Sequence, residues 1–170
     1  IGPDYLMMDR LGDKIKSKIA ANAVGVSTIP GIEEAVKSEA EAKVFADFCR
    51  YPVILKASAG GGGRGMRIAW REEDLLREFR SAQSEAKKAF GIDDIFIEKF
   101  LENPKHIEVQ VLGDNYGNIV HLYERDCSIQ RRHQKVVEFT PAISITEEQR
   151  QAICNDALKL ASSVNYRNAG

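Results

Sequence analysis

Residues 53–70 read VILKASAGGGGRGMRIAW, a glycine-rich segment between two short apolar runs. The first run predicts a strand that ends at Lys56, and the run from Met66 to Trp70 predicts a returning strand. Both common nucleotide-binding glycine motifs lead into a helix, whereas this segment leads into a strand. Consecutive glycines let a backbone approach a ligand closely, and the N–H groups of a glycine turn bind anions. The stretch therefore predicts a strand–loop–strand flap over phosphates, with Lys56 as a nearby cation.

A second informative segment, residues 124–138, reads ERDCSIQRRHQKVVE and follows a predicted strand over 119–123. It contains three arginines, one lysine and one histidine, with two glutamines among them. Arginine offers a bidentate fork and lysine a compact charge, so the mixture suits a site for phosphate and a small planar anion. A solvated hairpin edge and a nucleic-acid patch are the alternatives that this segment alone leaves open.

The composition restricts the class of protein. Hydrophobic residues make up 44% of the 170 and charged residues 29%, which is ordinary for a globular chain. A net charge of −1 disfavours a general nucleic-acid binder. Three widely spaced cysteines predict neither a disulfide framework nor a zinc site, and they fit a reducing, cytoplasmic compartment. No apolar run reaches the length of about 18 residues that predicts a membrane span.

The remaining patterns predict helices mixed with antiparallel hairpins, which is an α+β architecture. Predicted helices cover 14–23, 39–50, 72–89 and the residues after 146, and predicted strands cover 26–29, 95–97, 107–111 and 119–123. The second helix is expected to begin at the capping box Ser38-x-x-Glu41. Its predicted buried face consists of Val44, Phe45 and Phe48.

Three segments are predicted along the chain. Residues 1–50 form a helical entry segment, residues 51–112 a strand-rich flap module, and residues 113–170 the start of a further subdomain. The chain begins without Met and ends directly after a strong helical pattern. It is therefore interpreted as a segment of a longer polypeptide.

The sequence Glu98-Lys99-Phe100-Leu101 follows an alternating apolar strand. Backbone N–H and C=O groups at such a strand end suit the edge of an adenine, with Phe100 and Leu101 against its faces. The alternative is an ordinary exposed strand exit. His106 suits a ribose contact, or simply begins the next strand.

These motifs occur in one order: Gly12-Asp13-Lys14, the glycine flap, residues 98–108 and the block 124–138. In that order they resemble the ATP-grasp core of biotin carboxylases, the family found in acetyl-CoA, propionyl-CoA and pyruvate carboxylases. The sequence QRRHQK over 130–135 is specific to that family. Carbamoyl-phosphate synthetase, another ATP-grasp ligase, shares the flap but not that block. The resemblance implies an ATP-grasp fold, with a central strand-rich nucleotide-binding lid module and part of the following C-terminal subdomain.

The resemblance also implies a reaction and the residues that serve it. In the family, bicarbonate attacks the γ-phosphate of MgATP, and the carboxyphosphate formed delivers carbon dioxide to biotin, an ATP-dependent carbon–nitrogen ligation. Lys14 and Lys56 are implied to hold phosphates, with Gly62 and Gly63 lying over them. Lys135 is implied to hold bicarbonate and to be catalytic. The residues implied around the rest of the nucleotide are Glu98, Lys99, Phe100, Leu101, His106, Gln130 and His133.

Cofactors and partners follow from the same resemblance. They are ATP, Mg²⁺ and biotin on a carrier domain or protein, in a homo-oligomeric, cytoplasmic parent such as pyruvate carboxylase or acetyl-CoA carboxylase. The metal-binding glutamates of the family fall beyond residue 170, so no metal ligand is expected in this segment, and the segment alone is expected to be inactive. The competing hypothesis is a non-catalytic module that binds nucleotide or nucleic acid through the same cations. The net charge disfavours nucleic acid, and no membrane partner is predicted.

Overall fold

The computed structural model of the chain describes residues 2–12, 14–32, 34–57, 66–132 and 134–170, without the side chains of Asp9, Lys14 and Ile15. Helices span Tyr5–Gly12 (α1), Lys14–Ala23 (α2), Glu39–Cys49 (α3), Glu72–Phe90 (α4) and Glu147–Ser163 (α5). Strands span Val53–Ala57 (β1), Met66–Ala69 (β2), Ile95–Lys99 (β3), Ile107–Gly113 (β4), Ile119–Arg131 (β5), Gln134–Phe139 (β6) and Asn168–Ala169 (β7). The pairings between these strands are antiparallel. The predicted α+β class is therefore confirmed.

The first compact unit, here called the flap unit, comprises Ile29–Asn103. Its sheet has the strand order β2-β1-β3. One side of the sheet packs on α3 and α4, where Leu55, Leu75 and Phe79 are almost completely buried. Burial of each such side chain contributes about 1.5–3 kcal/mol. The two strands predicted on either side of the glycine segment are present and pair with each other, with Lys56 opposite Met66.

The second compact unit, here called the block unit, combines Ile1–Thr28 with Pro104–Gly170. Its sheet has the order β6-β5-β4-β7. Val111 of β4 packs in a cluster with Met7 of α1 and Ala161 of α5. The predicted helix start at Thr146 is confirmed, because Thr146 and Gln149 form a reciprocal capping box at α5. Helix α5 thus packs against β4 and β5 of this sheet.

Two predictions of local structure were wrong. Residues 26–29 form no strand; the pairing to β3 begins later, at an isolated bridge between Gly31 and Glu98, after a proline that has no N–H to donate. In α3 the prediction is wrong for Val44 and Phe48, which are 72% and 79% exposed beside the buried Ala42 and Ala46, and right for Phe45, which is partly buried against the core. Small alanine side chains let α3 approach its neighbours closely, and this turns the larger residues outward.

The compact units have other bounds than the three predicted segments. Helix α3, predicted in segment 1–50, packs with β3 and α4 in the flap unit. Strand β4, predicted in the flap module 51–112, pairs with β5 in the block unit. Strand β5 also runs well past the predicted end at Tyr123, into the basic block. Register and helix packing, rather than order along the chain, define these units.

Candidate functional site

The side of the flap-unit sheet that faces away from the core with α3 and α4 is here called the outer face. Side chains alternate between the two sides of a strand. Val53 and Leu55 point into the core, so Ile54 and Lys56 lie on the outer face. The strand register adds the partly buried side chains of Met66, Ile68, Phe96 and Glu98. The outer face is therefore an apolar surface with one acid and one base, a composition that suits a planar heterocycle attached to an anion.

Lys56 and Glu98 form an ion pair on the outer face. The distance from Lys56 Nζ to Glu98 Oε2 is 2.5 Å, and the two side chains are 23% and 20% exposed. They lie diagonally across the β1–β3 pairing, since Lys56 is opposite Phe96 and Glu98 is opposite Ile54. The ammonium is thus held near the end of β1, where the chain enters the glycine segment.

The end of β3 is fixed by hydrogen bonds to other parts of the flap unit. The Lys99 N–H donates to the Pro30 carbonyl at 2.9 Å, and the Phe100 N–H donates to the Pro52 carbonyl at 3.1 Å. The Phe100 ring lies edge-on to Trp70 with a centroid distance of 5.7 Å. The N–H groups of residues 99 and 100 are therefore already bonded within the protein, and Leu101 is exposed directly after them.

A cluster of charged side chains is centred on Glu108 in the block unit. Glu108 on β4 lies opposite Arg125 on β5. Its Oε1 accepts from Arg125 Nε at 3.0 Å and from Arg125 Nη2 at 2.5 Å. Its Oε2 accepts from Lys135 Nζ. Arg125 also donates to Gln110 at 2.8 Å and lies 3.5 Å from Glu138. One carboxylate thus fixes two cations on the same side of the sheet.

The cluster has definite protonation states at neutral pH. The hydrogen bond from Lys135, followed by that from Arg125, lowers the pKa of Glu108 to about 2. Glu108 is therefore ionised at pH 7 and a weak proton acceptor. The same hydrogen bond raises the pKa of Lys135 above its usual value. An ammonium has three N–H groups, so Lys135 keeps donors for an anion while Glu108 holds it in place.

We expect the contribution of Glu108 to stability to depend on pH in the acid range. Its pKa of about 2 in the folded protein lies below the ordinary value of 4.5, so the unfolded chain binds the proton first. The stabilisation is complete above pH 4.5 and is lost as the pH falls toward 2. The measurement is the difference in free energy of unfolding between the protein and Glu108→Gln at pH 7 and at pH 4. A difference that stays constant or grows at pH 4 would contradict this assignment.

His106 and Gln130, two residues predicted near the nucleotide, lie together. Gln130 Nε2 is 2.7 Å from His106 Nδ1 and donates to the Cys127 carbonyl at 2.9 Å. Which atom donates in the contact between Gln130 and His106 depends on the imidazole tautomer. The His106 backbone N–H donates to Ser128 Oγ at 2.9 Å. His106 Nε2 lies 3.8 Å from Glu108 Oε2, so the His106–Gln130 pair borders the Glu108 cluster.

Glu124 and Asp126, the two acids at the start of the segment 124–138, have structural roles. Glu124 is inaccessible to solvent, and its Oε1 accepts from Arg150 Nε at 2.8 Å and from the Ala142 N–H at 3.0 Å. Burial raises the pKa of Glu124, but the hydrogen bonds from Arg150 and Ala142 outweigh it and bring the pKa below its usual value. Asp126 accepts from Ser144 Oγ at 2.9 Å. Both acids hold the loop after β6 rather than a ligand.

The predicted site residues fall into three groups. Lys56 and Glu98 are paired in the flap unit, next to the strand end that carries residues 99–101. In the block unit, Lys135 is linked to Glu108, and Gln130 to His106. Gly62, Gly63 and His133 lie outside the described residues, as does the side chain of Lys14. Their predicted roles, like those of the other site residues, stay predictions.

Sequence reasoning missed Glu108 and Arg125 as members of the site. A signal for them was present, because opposite charges on neighbouring antiparallel strands commonly pair when they are in register. The apolar residues of the outer face, among them Ile54 and Met66, were also missed. Their alternation with core residues along the strands would have predicted that they share the opposite side of the sheet.

Among the described residues, one group has a spacing that suits a metal ion: Glu108, Cys127 and Glu138. Its fit to Mg²⁺ is poor, since Mg²⁺ prefers oxygen ligands in a near-octahedral arrangement. The Glu108 carboxylate is bonded to Lys135 and Arg125, and burial raises the pKa of the Cys127 thiol. We therefore assign no role to Mg²⁺ in this cluster.

Comparison with known proteins identifies the family. The family described as "Carbamoyl-phosphate synthase L chain, ATP binding domain" matches residues 13–170, and the chain belongs to it. Pyruvate carboxylase of Pichia angusta is 53% identical over the whole chain, which spans 14% of the length of that relative.

Two solved structures are similar to the chain. The biotin carboxylase domain dimer of Hydrogenobacter thermophilus 2-oxoglutarate carboxylase, in complex with MgADP, ADP and bicarbonate, is 51% identical with a TM-score of 0.89. The match covers 99% of this chain and 37% of that one. Campylobacter jejuni biotin carboxylase is 48% identical with a TM-score of 0.90, over 99% of this chain and 38% of that one. The predicted ATP-grasp fold and the resemblance to biotin carboxylases are confirmed, and carbamoyl-phosphate synthetase is the less favoured relative.

None of the helices in the described part of the chain combines the length and the apolar character that crossing a bilayer needs.

Proposed function

We propose that the chain is the ATP- and bicarbonate-binding part of a biotin carboxylase, which carboxylates biotin on a carrier domain or protein. The observation that carries the proposal is the Glu108 cluster, in which the Lys135 ammonium is held by Glu108, has a pKa raised by that hydrogen bond, and has further N–H groups for an anion. Bicarbonate is a planar anion that needs such a donor. The similar 2-oxoglutarate carboxylase domain was solved with MgADP and bicarbonate, which supports the same ligands here.

The outer face of the flap unit is proposed to take the nucleotide. Lys56 neutralises phosphate charge, and the apolar residues Ile54 and Met66 lie against the base. The edge of the base is read by backbone groups at the end of β3, where Leu101 is the exposed residue. Because the N–H groups of Lys99 and Phe100 are bonded to Pro30 and Pro52, the Leu101 N–H and the Lys99 carbonyl are the groups proposed for this contact.

The proposed chemistry begins with attack of a bicarbonate oxygen on the γ-phosphorus of ATP. The products are ADP and carboxyphosphate, which then gives carbon dioxide to the ureido nitrogen of biotin and releases phosphate. Fixed cations stabilise the charge that develops during phosphoryl transfer; this is the role proposed for Lys56 toward ATP, while Lys135 is proposed to hold bicarbonate. The names pyruvate carboxylase and 2-oxoglutarate carboxylase among the relatives favour a 2-oxo acid as the final acceptor in the complete enzyme.

Further proposals concern the state of the complete enzyme. We propose an oligomeric enzyme, in keeping with the dimer of the 2-oxoglutarate carboxylase domain. We also propose a cytoplasmic location, which suits the three free cysteines. Mg²⁺ is proposed to accompany ATP through ligands other than the Glu108 cluster.

The direct test is ATP cleavage by the complete enzyme with free biotin as acceptor. We expect phosphate release that requires both bicarbonate and biotin, and no carbamoyl phosphate when ammonia replaces biotin. Cleavage that depends on ammonia but not on biotin would favour the carbamoyl-phosphate synthetase class instead.

Replacement of Lys56 by methionine is expected to weaken ATP binding about 10- to 100-fold, because a charge-assisted hydrogen bond contributes about 1.5–3 kcal/mol. The variant also breaks the Lys56–Glu98 ion pair, so the negative charge of Glu98 is no longer offset by Lys56 close to the phosphates. Titration calorimetry with ATP on Lys56→Met and on Lys56→Met/Glu98→Gln separates the two effects, since the double variant removes the repulsion. Lys88→Met on the exposed side of α4 is the matched control. Unchanged ATP affinity in Lys56→Met would remove Lys56 from the site.

A further inference from the structure

We propose that Lys99 is a positioning residue for the purine base, and that its ammonium acts on the protein backbone rather than on the nucleotide. The inference deepens the proposed function, on which it rests, because it concerns the strand end assigned to the base. The resemblance implied a place for Lys99 in the ATP site, and the structure separates the role of its backbone from that of its side chain.

The direction of the side chain is the first argument. Lys99 lies opposite Val53 in the β1–β3 pairing, and Val53 is a core residue. Glu98, one position earlier, lies opposite Ile54 on the outer face. Because successive side chains alternate, Lys99 leaves β3 on the side away from the Lys56–Glu98 pair. Its ammonium is therefore on the wrong side of the sheet to touch phosphates on the outer face.

The partners of the ammonium are the second argument. Lys99 Nζ donates to the carbonyls of Arg50 and Tyr51, at 2.9 Å each. Helix α3 ends at Cys49, and the next residue, Arg50, has a φ of 60°. The two carbonyls therefore directly follow the helix, and a cation is favourable near a helix C-terminus because of the helix dipole. Lys99 supplies such a cation from a neighbouring strand.

The continuity of this contact with the strand end is the third argument. The turn that Lys99 grips leads directly into Pro52, whose carbonyl accepts the Phe100 N–H. The Lys99 N–H is held on the other side by Pro30. The side chain and the two N–H groups thus clamp residues 99 and 100 between two segments of the flap unit. This clamp sets the positions of the Lys99 carbonyl and the Leu101 N–H, the two groups proposed to bind the edge of the base.

The test compares adenosine, ADP and ATP binding by titration calorimetry, on the complete enzyme and on its Lys99→Met variant. We expect the affinity of all three to fall by the same factor, about tenfold, because the lost contact positions the base that they share. The KM for ATP is expected to rise by a similar factor with kcat nearly unchanged, the pattern of a uniform loss of binding. Lys99→Arg is expected to restore most of the affinity, since a guanidinium can also donate to two carbonyls.

The control is Lys88→Met, which removes an exposed lysine from α4 of the same unit and is expected to change none of the three affinities. A factor that grows from adenosine to ATP would show a direct phosphate contact and overturn the inference, as would unchanged affinities in Lys99→Met. If that variant does not fold, Lys99→Gln, which retains a donor without the charge, carries the same comparison. Failure of the unaltered enzyme to bind adenosine nucleotides would instead overturn the proposed function.

Discussion

Replacement of Lys135 by glutamine is expected to lower kcat/KM for bicarbonate about 10- to 100-fold in ATP cleavage with free biotin. The loss corresponds to one charge-assisted hydrogen bond of about 1.5–3 kcal/mol. Glutamine retains an N–H donor on a shorter side chain but has no charge, and the Lys135 ammonium no longer neutralises Glu108. The KM for ATP is expected to change by less than about threefold, since the variant removes a contact to the other substrate.

Two further variants make this test specific to the site. Lys135→Arg keeps a cation within reach of Glu108 and is expected to retain more bicarbonate-dependent activity than the glutamine variant. Lys159→Gln removes a lysine that pairs with Asp156 on the exposed side of α5, and it is expected to behave like the unaltered enzyme. Bicarbonate kinetics that are unchanged in Lys135→Gln would contradict the proposed clamp and direct attention to Arg125.

The elements of the fold were largely predictable because local signals and packing agree. The capping box at Thr146, the periodic apolar face of α4 and the alternating strands each have one short-range cause. Helix α3 is the exception. Its sequence offers both an alanine stripe and a larger apolar stripe with Val44 and Phe48, and either satisfies a helical period. Close approach to neighbouring elements selected the alanines, and that is a tertiary effect.

The residue types of the candidate site were predictable, but the pairs that they form were not. Lys56 pairs with Glu98 and Lys135 pairs with Glu108, and in each pair the two residues lie on different strands. Such pairs depend on strand register, and β4, β5 and β6 change register at several irregular positions. A bulge moves one strand past another by a residue, so the sequence alone does not state that Glu108 lies opposite Arg125.

Replacement of Arg150 by methionine is expected to reduce the free energy of unfolding by about 3 kcal/mol or more, because it leaves the Glu124 carboxylate unpaired in a site without solvent access. Arg150 also donates to the Ala142 carbonyl at 3.1 Å, so the loop after β6 loses a second contact. The measurement is urea denaturation at pH 7. Lys159→Met on the same helix is the control, and its exposed ion pair with Asp156 is expected to be worth at most about 1 kcal/mol.

The pH dependence of stability and a double variant test whether the unpaired Glu124 carboxylate causes the loss of stability in Arg150→Met. In the unaltered protein the pKa of Glu124 lies below its usual value, so its stabilisation is present at neutral pH and is lost as the pH falls through the folded pKa. Without Arg150, burial raises that pKa, and the variant gains relative stability as Glu124 takes up a proton. The difference in free energy of unfolding between the unaltered protein and Arg150→Met is therefore expected to become smaller as the pH is lowered. Glu124→Gln/Arg150→Met is expected to be more stable at pH 7 than Arg150→Met alone, because no unpaired charge is left buried. A double variant that is less stable than Arg150→Met would show that Arg150 acts mainly through its contacts to the loop.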